Sequence, residues 1–224
     1  MSYTREFMPG LLSVVLATSN EGKLAELRSL FGDLSLELLG LSALVGQQPQ
    51  VAEYGSTLEE NAIIKARAAC AATGLYALAD DSGLEVDALG GRPGVRSARF
   101  AHERATDAEN NAALLRELEE IEDGGRKARF RCVLALASPW DPEHVEIAEG
   151  SCEGLIARAP RGSGGFGYDP LFIVPERGGR AMAEISEDEK NEVSHRARAA
   201  RSMRDKLRAM LDARLVEVER VSRV

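Results

Sequence analysis

The stretch ADDSGLEVDALGGRPG, residues 79–94, sets four acidic residues and four glycines into sixteen positions between two apolar runs. Residues 76–79 read as the end of a buried strand. Asp81, Ser82 and Gly83 read as the turn after it, because Asp and Ser bond to nearby backbone and Gly tolerates positive φ. Residues 84–89 alternate as another strand would, and GGRPG at 90–94 is a loop. One Asp suffices for that turn, so the second admits chemistry. Successive side chains of a strand point to opposite faces, so Asp80 and Asp81 cannot both face one site. One of them can look into a cleft at the carboxyl end of the strand, where α/β folds place ligands. A plain surface turn is the other reading.

Working outward, residues 11–18 form a strand candidate, and 22–31 follow with helical spacing at Leu24, Leu27, Leu30 and Phe31. Residues 34–39 are a second strand and 46–55 a loop. Thr57 and Glu60 match a capping box that opens a helix to about Thr73, on which Asn61 and Lys65, four apart, share a face. An amphipathic helix is expected over 107–120. A long hairpin spans 128–137 and 144–158 around Pro139, Trp140, Asp141 and Pro142. A glycine-rich loop (161–170), a short strand (171–174), a capping box at Ser186 and Glu189, and a helix from about 194 to 214 complete the chain. βα units mixed with hairpin strands predict an α/β fold with a mixed sheet and flanking helices, not a purely parallel one.

At 224 residues, with no linker or repeat, the chain reads as a single domain across 1–224; residues 1–9 carry no pattern and read as disordered, while 215–224, where Val216 and Val218 alternate with charges, read as disorder, a helix extension, a strand or a frayed end. Hydrophobic residues at 44% and charged residues at 29% describe an ordinary soluble globular protein. The net charge of −8 disfavours a nucleic acid polymer as partner, so any anionic ligand must be held by specific residues. Cys70, Cys132 and Cys152 lie far apart without a CxxC pair, which argues against a disulfide framework or structural zinc and fits a reducing cytoplasm. The apolar run at 11–17 is far too short to span a membrane.

Three further motifs carry chemistry. TSNEGK (18–23) sits between the first strand and first helix, where unpaired N–H groups and the helix dipole favour phosphate; a plain βα turn capped by Asn20 is the alternative. GSGGFG (162–167) matches GxGxxG but precedes Tyr168, Asp169 and Pro170 instead of opening a helix. It reads as a flexible lid presenting Phe166 and Tyr168 for stacking on a base, or as a hairpin loop that tucks Phe166 into the core. KNEVSHRARAAR (190–201) sets His195 and Arg196 at the start of the last helix, in a run that a solvated basic face also explains.

Taken together, TSNEGK, EENAIIKA (59–66), ALADDSGLEVDALGGRPGVRSARF (77–100), GSGGFGYDPLF (162–172) and SHR (194–196) resemble the inosine/xanthosine triphosphate pyrophosphatase family. Five motifs in the family's order run from about Leu12 to Met210; Ser19 stands where the family commonly has Gly. The resemblance implies an elongated α/β fold of two lobes with a central active-site cleft, commonly a homodimer. It implies Mg²⁺-dependent hydrolysis of non-standard purine nucleoside triphosphates to the monophosphate and pyrophosphate. Asp81 would be the general base and a metal ligand, and Glu53 a second carboxylate at the metal. Thr18, Ser19, Asn20, Glu21, Gly22 and Lys23 would hold the triphosphate with Lys65 and Lys190. Ser82 would contact substrate, and Phe166, Gly167, Tyr168, Asp169, His195 and Arg196 would enclose the base.

Those roles make physical sense. A triphosphate brings about four negative charges, which Mg²⁺ and lysines offset, and a carboxylate beside the metal can deprotonate a water for in-line attack. Arg196 offers only donors, which suits the 6-oxygen of hypoxanthine and xanthine and not the amino group of adenine. A related pyrimidine-nucleotide pyrophosphatase and a nucleotide-binding regulator are the competing readings. Asp81, Lys23 and Lys65 argue against the regulator, since binding alone requires no carboxylate beside the phosphates.

Overall fold

Strand β1 (Ser13–Leu16) is buried along its length and pairs in parallel with β2 (Glu37–Gly40) on one side and β3 (Tyr76–Val86) on the other. Helix α1 (Glu21–Phe31) connects β1 to β2, and α2 (Leu41–Leu44) and α3 (Leu58–Thr73) lie between β2 and β3. After α4 (Asp107–Glu117), the long strands β4 (Lys127–Ser138) and β5 (Asp141–Ile156) extend the sheet antiparallel to β3. Short β6 (Phe172–Val174) and β7 (Arg180–Ala181) complete the order β2-β1-β3-β4-β5-β6-β7. Helices α5 (Glu187–Val193) and α6 (His195–Val221) follow. The computed structural model describes residues 13–34, 36–45 and 55–221. The mixed sheet with flanking helices is the architecture expected from the sequence. Helix α6 continues past Arg214 to Val221, so 215–221 are helical, while 1–9 and 222–224 lie outside the described residues.

The turn expected at Asp81, Ser82 and Gly83 is not there. These residues lie in the middle of β3, paired with Val133, Cys132 and Arg131 of β4. Two physical facts override their turn-forming character. β4 offers a continuous backbone ladder from Ala77 to Val86, and Gly83 is where another segment passes close by. A Cβ at Gly83 would lie 2.4 Å from the Gly94 carbonyl oxygen.

The alternation of β3 then sorts the molecule. Tyr76 and Leu78 join an apolar cluster with Leu24, Leu27 and Phe31 of α1 and Met203 and Leu207 of α6. Farther along the same face, Leu84 and Val86 join a second cluster with Leu114 of α4 and Leu118 just after it. On the opposite face the small Ala77 and Ala79 pack beneath Ala62, Ala66 and Ala69 of α3. Between the two clusters on the first face stand Asp80 and Ser82, where the apolar pattern breaks.

Helix starts follow local chemistry. Asn20 caps α1, and Ser186 with Glu189 forms a reciprocal capping box at α5. At α3 the Thr57 hydroxyl accepts from Glu60 N (3.1 Å), and the Glu60 carboxylate accepts from Ser56 N (2.6 Å).

Helix α6 lies so close to β5 that a Cβ on Gly150 would sit 2.3 Å from the His195 carbonyl oxygen and 2.4 Å from Ala199 N. Backbone on the far side leaves no flexible side chain to yield. Gly150→Ala should therefore cost about 3 kcal/mol in urea-unfolding free energy, and an unchanged midpoint would show that the helix shifts freely.

Candidate functional site

The site forms along β3 beyond the end of its pairing with β1. Pairing with β1 stops at Leu78, whose carbonyl accepts from Ala17 N (2.8 Å), while β3 runs on to Val86 with β4 on its other side. The β1–α1 loop thus ends beside Asp80, at the carboxyl end of a parallel strand. There Thr18 Oγ1 accepts from Asn20 N (3.2 Å) and Asn20 Oδ1 from Lys23 N (2.9 Å). Ser19, Asn20 and Glu21 are exposed and Thr18, Gly22 and Lys23 half-buried.

On the face between the apolar clusters, Asp80 gathers charged groups from α1 and α6. Arg196 Nε donates to its Oδ2 (2.7 Å), Lys23 Nζ pairs with its Oδ1, and the Ser82 hydroxyl donates to it (3.0 Å). Burial works against the Asp80 charge, but the Arg196 guanidinium and the Lys23 ammonium outweigh it and hold the pKa well below the ordinary 3.8. Arg196 also pairs through Nη1 with Glu26 and donates through Nη2 to Ser82 (3.2 Å). Glu26 in turn pairs with Lys190 (2.7 Å), and Lys190 with Asp169 (2.6 Å). Burial lowers the Lys190 pKa, but the two carboxylates more than offset it and raise it. The chain Asp80, Arg196, Glu26, Lys190, Asp169 is thus a continuous buried ionic relay linking β3, α6, α1, α5 and the 162–169 loop.

That loop covers the relay. Phe166 N donates to Asp169 Oδ2 (3.0 Å), and the Phe166 ring lies over Lys190 Nζ (4.8 Å) and the Arg196 guanidinium (5.7 Å). Its edge rests on Gly22, where a Cβ would meet the ring at 2.5 Å. Phe130, Tyr168, Asp107 and Ser97 complete a pocket with Asn20, Lys23, Ser82, Lys190, His195 and Arg196. His195 stacks on Phe130 (4.7 Å between ring centroids, 15° between planes), and its Nδ1 is buried with no hydrogen-bond partner among the described residues.

The opposite face of β3 holds Asp81. Its Oδ1 accepts from Lys65 Nζ (2.5 Å) and its Oδ2 from Asn61 Nδ2 (3.3 Å), both from α3. Lys65 also approaches the Asp80 carbonyl (3.5 Å), so the two faces meet where β1 no longer pairs with β3. Among the described residues no group of three or more His, Cys, Asp and Glu side chains could hold a metal ion.

The structure therefore gathers Thr18, Asn20, Lys23, Ser82, Phe166, Gly167, Asp169, Lys190, His195 and Arg196 on one side, with Lys65 and Asp81 across the strand. Glu53 lies outside the described residues. Two expectations need correction. Tyr168 is not an exposed stacking residue: its ring is buried in the cluster with Leu114 and Phe172, and its hydroxyl donates to the Ser97 carbonyl (2.9 Å). Arg196 is not a solvated helix residue; four N–H···O contacts to Asp80, Glu26 and Ser82 occupy its guanidinium. The sequence offers no sign of Glu26, and none that Asp80, one of the two carboxylates open to a cleft, anchors the relay. Glu26 sits at an ordinary helix position whose partner Arg196 lies 170 residues away, beyond the reach of any local pattern.

The Ham1 family model matches residues 14–206. A dITP/XTP pyrophosphatase of Geobacillus kaustophilus is 52% identical over 186 residues, covering 83% of this chain and 89% of the relative. One of Shigella flexneri is 49% identical over 196 residues, covering 87% and 98%. A Ham1 protein structure from Coxiella burnetii superposes with a TM-score of 0.78 at 46% identity, over 88% of this chain and 99% of that one.

His195 yields a pH test. Burial, then the neighbouring Arg196 charge, pushes its pKa well below 6.5, so it stays neutral in the folded chain. The unfolded chain takes up a proton below about pH 6.5, binds more protons than the fold, and is favoured as pH falls toward the folded-state value. Between pH 6.5 and 5 the wild type should lose stability more steeply than His195→Gln in denaturant melts. Parallel curves would show that the ring is protonated in the fold.

Proposed function

The chain belongs to the Ham1 family, and from that premise we propose that its site cleaves non-standard purine nucleoside triphosphates such as dITP and XTP. It is a nucleoside triphosphate pyrophosphatase, a hydrolase that leaves the monophosphate and pyrophosphate. The observation that carries the site assignment is the division of labour across β3: consecutive carboxylates, Asp80 and Asp81, face opposite ways, each engaged by a lysine, where pairing with β1 has ended.

The triphosphate runs along the α1 N-terminus, where Thr18, Asn20 and the backbone from Ser19 to Gly22 offer donors and the helix dipole favours anions. Lys23 and Lys65 transfer from their carboxylates to phosphate oxygens, which carries the ligand across this edge from the pocket to the Asp81 face. Asp81, released from Lys65, accepts the proton of the attacking water at a carboxylate oxygen while Asn61 keeps it oriented. Its oxygens are donors of the hard kind that Mg²⁺ takes, one or two carboxylates together with phosphates, and Glu53 is the second carboxylate of this reading. When bound, Mg²⁺ neutralises phosphate charge and lowers the pKa of a coordinated water. In-line attack falls on the α-phosphorus.

The base enters the pocket beneath Phe166. Ser82, Lys190 and Asp169 line it, and the His195 Nδ1 and the remaining Arg196 N–H are the polar groups left to read the purine edge. Tyr168 acts from behind, fixing the loop through Ser97. A homodimer, a two-lobed cleft and a cytoplasmic location belong to the same proposal; among the described residues no helix is long and apolar enough to cross a membrane.

Pyrophosphate release with Mg²⁺ from dITP, XTP, dATP, dGTP, dCTP and dTTP tests this. Rapid release from dITP and XTP alone, reduced about 10³-fold in kcat by Asp81→Asn, is expected. Orthophosphate as product, or equal turnover of all six nucleotides, would refute the assignment.

A further inference from the structure

Gly167 is gripped at both ends of its own backbone. Its N–H donates to Asp107 Oδ2 (2.6 Å), and its carbonyl accepts from Asn111 Nδ2 (2.8 Å). Asp107 and Asn111 are four apart and lie on one face of α4. The end of α4 that bears Asp107 is fixed by a reciprocal capping box between Thr106 and Glu109. Asn110 ties the same turn to residues 98–101, accepting from Ala101 N (2.9 Å) and donating to the Ala98 carbonyl (3.1 Å). The grip is therefore mounted on a rigid base.

The φ of Gly167 is +61°, and among the described residues no atom beyond its chain neighbours lies within 4 Å of where its Cβ would be, so side-chain packing does not set its orientation. Asn111 is only 8% exposed, and its Oδ1 has no hydrogen-bond partner among the described residues. A buried acceptor without a partner destabilises a fold, and a leucine of similar size would avoid that cost. The amide at 111 thus opposes stability on one side while supplying a single donor to Gly167 on the other.

We propose that Asp107 and Asn111 are positioning residues for base selection, a clamp that sets the Gly167 peptides so that Phe166 and Asp169 meet the purine. This rests on the reading of residues 166–169 as the base cover. Phe166 and Asp169 flank Gly167 and Tyr168 and are bonded to each other, so rotating the Gly167 peptides moves the ring off Lys190 and Arg196 and the carboxylate off Lys190. Neither clamp residue takes part in the chemical step.

The test uses the full chain with Asn111→Leu, Asp107→Ala and Asp107→Asn, the last retaining an acceptor for Gly167 N–H. Asn111→Leu should leave Tm unchanged or raise it, yet raise KM for dITP about tenfold with kcat within about twofold and narrow the dITP-over-dGTP preference. Asp107→Ala should do the same to KM, and Asp107→Asn should recover most of it. Hydrogen exchange without nucleotide should be faster across 166–169 in Asn111→Leu. A lower Tm with KM, selectivity and exchange unmoved would make Asn111 a purely structural residue and overturn the clamp. A wild type inactive on dITP and XTP would overturn the functional reading and the base-selecting role together, while the exchange comparison would still report whether the loop is gripped.

Discussion

The ion pair between Asp80 and Arg196 is the constraint around which this molecule is assembled. One partner stands in the middle of the central strand, the other at the first turn of the last helix, and both are almost wholly buried. A charge taken out of water alone costs several kcal/mol, and removing one partner of a buried pair typically costs about 3–5 kcal/mol. Helix α6 therefore has one acceptable seat on the sheet. Lys23 and Glu26 from α1 complete the charge balance of that seat, so the first and last helices are fixed to the same point of β3. The glycine at 150 permits it, letting β5 and α6 approach until only backbone separates them.

The period of two along β3 turns that constraint into a site. Leu78 and Leu84 anchor the strand in apolar clusters on either side of Asp80 and Ser82, so the polar interruption is held as firmly as a core residue. Asp81, one residue on, is turned by the same geometry to the face of α3 and its Lys65 and Asn61. β1 pairing ends at Leu78, and beyond it the described groups at that edge of β3 are side chains, Lys65 at the Asp80 carbonyl and Ser97 at Leu84 N. A longer β1 would have put a ladder of backbone hydrogen bonds in their place.

Much of this was legible in the sequence. The Asn20 cap, the box at Ser186 and Glu189, the hairpin of β4 and β5 and the opposed directions of Asp80 and Asp81 all follow from local rules. What escaped was set by distant partners. Asp, Ser and Gly in succession carry the composition of a turn, and only the continuous ladder with β4 and the approach of Gly94 make them strand. Glu26 looks like any polar helix residue until Arg196 and Lys190 arrive beside it. Tyr168 looked available for stacking because glycines precede it, yet the Ser97 carbonyl and an apolar cluster claim both its ends.

The ionic relay also bears on how a nucleotide finds the site. Lys23, Lys190 and Arg196 are matched one for one by Glu26, Asp80 and Asp169, and Lys65 is matched by Asp81. These pairs cancel formally, and Asp107, which also lines the pocket, adds a negative charge, inside a chain whose net charge is −8. Such a surface projects no positive field into solution, so a triphosphate is not steered toward it from a distance. In the proposed reading, capture then depends on close-range exchange of internal counter-ions for phosphate.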